Sequence, residues 1–176
     1  MMRLRVALAT AACLALVPAT SATAATSKVK RCTPKGAKTI HKTSEARVYT
    51  LKGPGPQSED EDVQQRLYGC LFSTGRPLLL AESYDDGIYT SGAFSQVRLN
   101  GRFVAWQFDA SDISCKDTCP PDYNPLRQTI NIADLRTRKR KSTTGAARRD
   151  TLSVTRGGTA IWLDSGNGDP HRLRMR

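Results

Sequence analysis

The chain is predicted to be all-β and antiparallel, on three observations. Apolar residues come in runs of five to seven broken by turn signals. Several runs alternate with period two, so one face of each strand can meet a core. After residue 24, no window of a dozen residues keeps the i, i+3, i+4, i+7 stripe of an amphipathic helix.

The strand candidates follow in chain order. Ala46–Leu51, Arg66–Phe72 and Pro77–Ala81 form a first group. Ser95–Leu99, Arg102–Phe108 and Thr129–Ala133 form a second, and Thr151–Thr155 and Thr159–Leu163 a third. Val97/Leu99, Ile130/Ile132 and Leu152/Val154 carry the clearest alternation. Asn100-Gly101 and Arg156-Gly157-Gly158 separate strand pairs where a tight hairpin needs positive φ. Three segments read as loops: Gly53–Asp62 with its acidic run Glu59–Asp62, Asp112–Pro125, and Ser165–Pro170. The expected core is Val48, Leu71, Leu79, Val104, Trp106, Ile130, Ile132, Ile161 and Trp162.

Residues 1–24 read as a secretory signal peptide. Arg3 and Arg5 precede a twelve-residue apolar stretch, Val6–Val17, and the segment ends Ala22-Thr23-Ala24, a small-x-small cleavage site. Twelve residues fall short of the roughly 20 that span a bilayer, which argues against an anchor. Cys13 suggests acylation, but Thr10-Ala11-Ala12 lacks the aliphatic residue usual before a lipidated cysteine. Cleavage near Ala24 leaves 152 residues, enough for one domain, 25–176. The expected location is extracellular, with no transmembrane segment in the mature chain.

Export makes a disulfide reading natural for the four remaining cysteines, Cys32, Cys70, Cys115 and Cys119. Three connectivities are possible, and Cys32–Cys70 with Cys115–Cys119 is favoured. The first closes a loop of about 40 residues, worth roughly 4 kcal/mol in the chain-entropy picture. A zinc site fits poorly, because the C-x₃-C pair has no second pair and no nearby histidine.

The sequence also repeats itself. Gly101-Arg-Phe-Val-Ala-Trp106 is echoed by Gly157-Gly-Thr-Ala-Ile-Trp162 and more weakly by Ser44-Glu-Ala-Arg-Val-Tyr49. Tyr68–Arg76 overlays Asn131–Lys139 at an offset of 63. In these segments, above all Asn100–Trp106 and Ile132–Arg138, the chain resembles secreted bacterial β-propeller-blade proteins of the TolB-like and WD40-like kind. Their blades carry a strand ending val-ala-Trp and a later strand ending Asp-Leu-x-Thr-Gly. Arg138 departs from that pattern by standing at the turn glycine. The resemblance implies blade-like units near 40–95 and 96–150 with a partial unit at 151–176. A closed ring usually has four to eight blades, so it implies a partial propeller or a sandwich-like pair of sheets. It also implies scaffold and binding roles rather than chemistry, and transfers no catalytic residue.

Chemistry finds little purchase. His41 and His171 lie far apart, and no G-x-S-x-G occurs. Asp85-Asp86 and Asp109/Asp112 are the carboxylate pairs available to a wall-polymer hydrolase, the competing reading, but Asp85-Asp86-Gly87 has the composition of a turn. Asp164–Asp169 resembles a calcium loop, yet Gly166 and Gly168 occupy positions that need oxygen ligands. No enzyme activity, cofactor or metal is expected.

Charge carries the functional hint. The chain has 27 basic and 16 acidic residues, net +11. Residues 136–176 hold a net +8, whereas 25–135 hold only +1. The densest part comprises Arg136, Arg138, Lys139, Arg140 and Lys141, followed by Arg148 and Arg149. Such a field attracts anionic wall polymer or membrane surface. Basic edge strands also block aggregation, so a purely solvated hairpin is the competing account. No aromatic platform interleaves the charges, so sequence-specific nucleic-acid binding is not expected. The expected role is therefore non-enzymatic binding or structure at the bacterial envelope or exterior. Self-association, or a truncated propeller without retained activity, stands as a further alternative.

Overall fold

A computed structural model describes residues 31–53, 63–112 and 125–176. The expected export segment, the acidic run 59–62 and the Cys115/Cys119 pair lie outside them. The described residues form eleven strands: β1 Lys38–Lys42, β2 Ala46–Lys52, β3 Val63–Leu71, β4 Arg76–Asp85, β5 Thr90–Asn100, β6 Phe103–Asp112, β7 Leu126–Asp134, β8 Arg140–Thr144, β9 Ser153–Val154, β10 Thr159–Leu163 and β11 Pro170–Arg174. The class is all-β. Strands β1 to β8 form one antiparallel meander, and β9 to β11 form a second sheet in the order β11-β10-β9.

The meander is two four-stranded ribbons rather than one flat sheet. β4 and β5 are ten and eleven residues long, yet they pair only at Tyr84↔Gly92 and Asp85↔Ser91, beside their shared loop. Beyond those pairs the strands part, and β1–β4 fold over β5–β8. Val48, Leu67, Leu78 and Leu80 of the first ribbon pack against Val97, Val104, Trp106 and Leu135 of the second and its turn. A second core joins Phe103, Ala105, Ile130 and Ile132 to Leu152, Val154, Ala160 and Trp162 of the small sheet. The order is therefore ribbon, ribbon, small sheet, each pressed on its neighbour.

This stacking explains why β6 reads as an unbroken apolar run. Val104 and Trp106 face the first ribbon, while Phe103 and Ala105 face the small sheet. A strand buried on both faces needs apolar side chains at successive positions, not alternate ones. The end sheet has only one buried face, and this corrects the expected core. Trp162 is buried, but its neighbour Ile161 is 41% exposed, because adjacent residues on a strand point to opposite sides. Leu79 is likewise only half-buried, with Leu78 and Leu80 buried on either side of it. A register shift in the β3–β4 ladder lies at this point.

The outer face of the first ribbon is closed by residues 31–37. Cys32 bonds Cys70 with a Cα–Cα distance of 5.5 Å, as the favoured pairing anticipated. Tyr49 stacks on Tyr68 at 5.5 Å beside the disulfide. Arg47 donates to the carbonyl of Cys32 at 2.9 Å and to Thr39 Oγ1 at 2.8 Å, which fastens the segment to β1 and β2.

One turn recurs three times. In β3–β4, Gly75 N–H donates to Leu71 O at 2.9 Å with φ +62° at Gly75. In β7–β8, Arg138 N–H donates to Asp134 O at 2.8 Å with φ +61° at Arg138. In β10–β11, Gly168 N–H donates to Asp164 O at 3.1 Å with φ +76° at Gly168. Gly75 and Arg138 are separated by the same 63 residues as the repeated segments, so the sequence echo is a conformational one.

Candidate functional site

Two surfaces hold the residues with functional potential. The first is the basic β7–β8 hairpin. Asp134 builds its turn by accepting from Arg136 N–H at 2.8 Å and Thr137 N–H at 3.4 Å. Asp164 repeats the arrangement with Gly166 N–H at 2.8 Å and Asn167 N–H at 3.3 Å. The Asp164–Asp169 segment is thus a hairpin clamp, and its aspartate is committed to backbone amides.

Arg136, Arg138, Lys139, Arg140, Lys141, Arg148 and Arg149 are all exposed, but they do not share one task. Arg138 Nη1 donates to Pro77 O at 3.4 Å. Arg140 Nη1 donates to Leu80 O at 3.3 Å, and its Nη2 donates to Leu79 O. Between Arg76 and Ser83 the side of β4 away from β3 has no ladder partner among the described strands. The two guanidinium groups cover that open edge. Partial desolvation there, with Arg138 close by, lowers the pKa of Arg140. Lys141 Nζ instead reaches Arg174 O at 3.1 Å, beside β11. Arg136 lies beside Arg102, Glu45 and Thr74 in a shallow hollow at the turn end of the ribbons. Arg102 Nε sits 3.2 Å from the buried Asp134 as an ion pair out of hydrogen-bond alignment.

The second surface is a hollow of about 510 Å³ where β1, β5 and the loop before β9 converge. Ile40, Phe94 and Val97 supply apolar wall, and His41, Arg98 and Arg149 supply polar groups. His41 Nε2 bonds Val97 O at 2.8 Å, joining positions 56 residues apart. Arg98 Nη1 donates to the same carbonyl at 3.0 Å. Gln96 stands at φ +46°, within a register shift of the β5–β6 ladder. Its amide donates to Ala147 O at 2.9 Å and to Gln107 Oε1 at 3.3 Å. Gln107 in turn accepts from Ala147 N–H at 2.9 Å and donates to Asp109 Oδ1 at 2.7 Å. This network welds the floor of the hollow to the loop that carries Arg149. No residue type in the sequence marked Gln96 or Gln107, and the separations explain why.

The aspartates considered for hydrolysis have other partners. Asp86 accepts backbone N–H bonds from Ile88, Tyr89 and Thr90 at 2.7–2.9 Å. Those bonds hold its carboxyl down at about 2, the reverse of a general acid's requirement. Asp85 accepts from Gly87 N–H in the same loop. Asp109 accepts from Gln107, Gln128 and Ser95. Among the described residues, no three His, Cys, Asp or Glu side chains gather as metal ligands, and no helix is long and apolar enough to cross a membrane. No family model matches the chain, and neither a curated protein nor a solved structure matches it.

Proposed function

We propose that the chain is an exported, non-enzymatic binding protein built from propeller-like blades, which contacts anionic polymer or membrane surface at the cell exterior. The observation that carries this reading is charge segregation. Residues 136–176 hold a net +8 against +1 over 25–135, and the seven basic residues from Arg136 to Arg149 are exposed. The disulfide and the expected signal peptide support an oxidising destination. Sequential stacking of two four-stranded ribbons and a third sheet supports a blade-like scaffold. The engagement of Asp86 and Asp109 with amide groups weighs against the hydrolase alternative.

Binding of the full chain to wall teichoic acid or to anionic vesicles, titrated from 50 to 500 mM salt, tests the reading. The expected result is an affinity that falls linearly on a log–log salt plot, as counterion release requires. Affinity indifferent to salt, or no binding near 50 mM, overturns it.

One observation favours continued stacking as a second role. Ile161 and Leu163, 41% and 37% exposed, lie on the outer face of β10, opposite the buried Ala160 and Trp162. The edge strand β11 carries exposed His171, Arg172 and Arg174 rather than an apolar row. The face, and not the edge, is therefore the feature that favours another sheet.

A further inference from the structure

The hollow between β1 and β5 has an internal occupant for its positive charge. Arg98 Nη2 lies 3.4 Å from Asp150 Oδ1, and Arg149 Nε lies 3.7 Å from Asp150 Oδ2. One carboxylate is thus shared by two guanidinium groups at the rim of a hollow whose wall is Ile40, Phe94 and Val97. Asp150 reaches this place from a turn closed by Thr151 N–H on Arg148 O, at φ +62°. Its side chain remains 77% exposed, so the contact is easily exchanged. The arginines are held unequally. Arg98 is pinned by the Val97 carbonyl that also receives His41, whereas the Arg149 side chain is 96% exposed beyond its contact with Asp150.

We propose that this hollow binds a small organic oxyanion, a carboxylate or phosphate borne on an apolar or ring-shaped body, and that Asp150 is a built-in competitor for it. The ligand's anionic group displaces the Asp150 carboxylate from Arg98 and Arg149. Its body lies against Ile40, Phe94 and Val97. The planar guanidinium fork suits both kinds of oxyanion. Arg149 also belongs to the basic set of the polymer reading, but Arg98 and the apolar wall lie outside the β7–β8 hairpin, so the site does not depend on polymer binding there.

Amide chemical shifts of the full chain, followed during titration with phenyl phosphate, benzoate and inorganic phosphate, test the proposal. Shifts are expected at 94–98 and 147–151, with phenyl phosphate binding more tightly than inorganic phosphate. The comparison with benzoate tells a phosphate site from a carboxylate site. Asp150→Asn keeps a residue that tolerates positive φ. It is expected to tighten binding about two- to fivefold, the ratio that matches an exposed ion pair. Arg149→Gln, at a solvated position with no fold at risk, is expected to weaken it. Shifts spread over all the basic residues, phenyl phosphate no better than inorganic phosphate, or an Asp150→Asn variant that binds no tighter would each overturn the proposal. Lys139→Glu is the control: it should weaken polymer binding and leave phenyl phosphate unaffected, so the two readings fail separately.

Discussion

The twin turns at Gly75 and Arg138 allow a reciprocal test of the repeat. Both residues sit near φ +60° and donate to the carbonyl four residues earlier. A non-glycine residue in this region costs roughly 1–2 kcal/mol in backbone sterics. Introducing glycine costs about 0.5–1 kcal/mol through the entropy of the unfolded chain. Arg138→Gly also gives up the 3.4 Å bond to Pro77 O, a solvated contact worth about 0.5 kcal/mol or less. It removes the nearby charge that lowers the Arg140 pKa. The net expectation is a small gain, about 0.5 kcal/mol, or a rise in Tm of 1–2 °C for a domain of this size. Gly75→Ala at the twin position should lose about 1 kcal/mol, because the strain of a Cβ in this backbone region exceeds the unfolded-chain entropy that alanine removes. Urea unfolding of both variants beside the wild type measures the two differences at constant m-value. A neutral Gly75→Ala, or an Arg138→Gly that loses more than 1 kcal/mol, would refute the shared-turn reasoning.

Two further outcomes follow from the first ribbon. Replacing both Cys32 and Cys70 by serine removes the closure of a 38-residue separation and is expected to cost about 4 kcal/mol; thermal unfolding with and without reductant measures it, and reductant should shift the wild type far more than the variant, which keeps only the short Cys115/Cys119 pair. Burial, and secondarily the charge of Tyr68, raise the Tyr49 phenol to about 12 against Arg47 acting the other way. The unfolded chain ionises this group near pH 10 while the folded chain still holds the proton, so stability falls between about pH 10 and 12. Tyr49→Phe keeps the ring and removes the titration, and its unfolding free energy should fall less steeply across that window.

The interior strands were legible because burial leaves a chemical trace. Phe103–Trp106 is apolar at successive positions since both faces meet a core, and β2, β3, β7 and β10 each bury at least one apolar row. β1, β8 and β11 left no such trace. β8 reads Arg-Lys-Ser-Thr-Thr, and only its ladder from Ala133↔Arg140 to Thr129↔Thr144 makes it a strand. The far ends of β4 and β5 were missed for a related reason. Glu82–Asp85 and Thr90–Ala93 run to the loop that joins the two ribbons, where Tyr84 pairs with Gly92 and Asp85 with Ser91, and most of their side chains are only partly buried. The hollow was illegible altogether: His41 meets Val97 across 56 residues, and Gln96 meets Ala147 across 51. The turn at Arg138 was the exception, since its offset from Gly75 is written in the repeat.

Arg140 is where structure and binding compete for one side chain, and a single series separates them. Its guanidinium bridges the carbonyls of Leu79 and Leu80 on the open side of β4, which makes it an edge guard as well as a surface charge. Arg140→Ala removes both roles, and the lost charged hydrogen bonds should cost about 1 kcal/mol at this solvated site. Arg140→Lys keeps the charge but not the fork, so it should recover polymer affinity while recovering only part of the stability. Lys139→Ala, which changes the charge without touching β4, should show the opposite pattern. If Arg140→Lys restored stability completely, the bidentate cover of β4 would carry no weight. If Arg140→Ala also aggregated at concentrations where Lys139→Ala stays monomeric by light scattering, the open edge of β4 would be established as the surface that Arg140 protects.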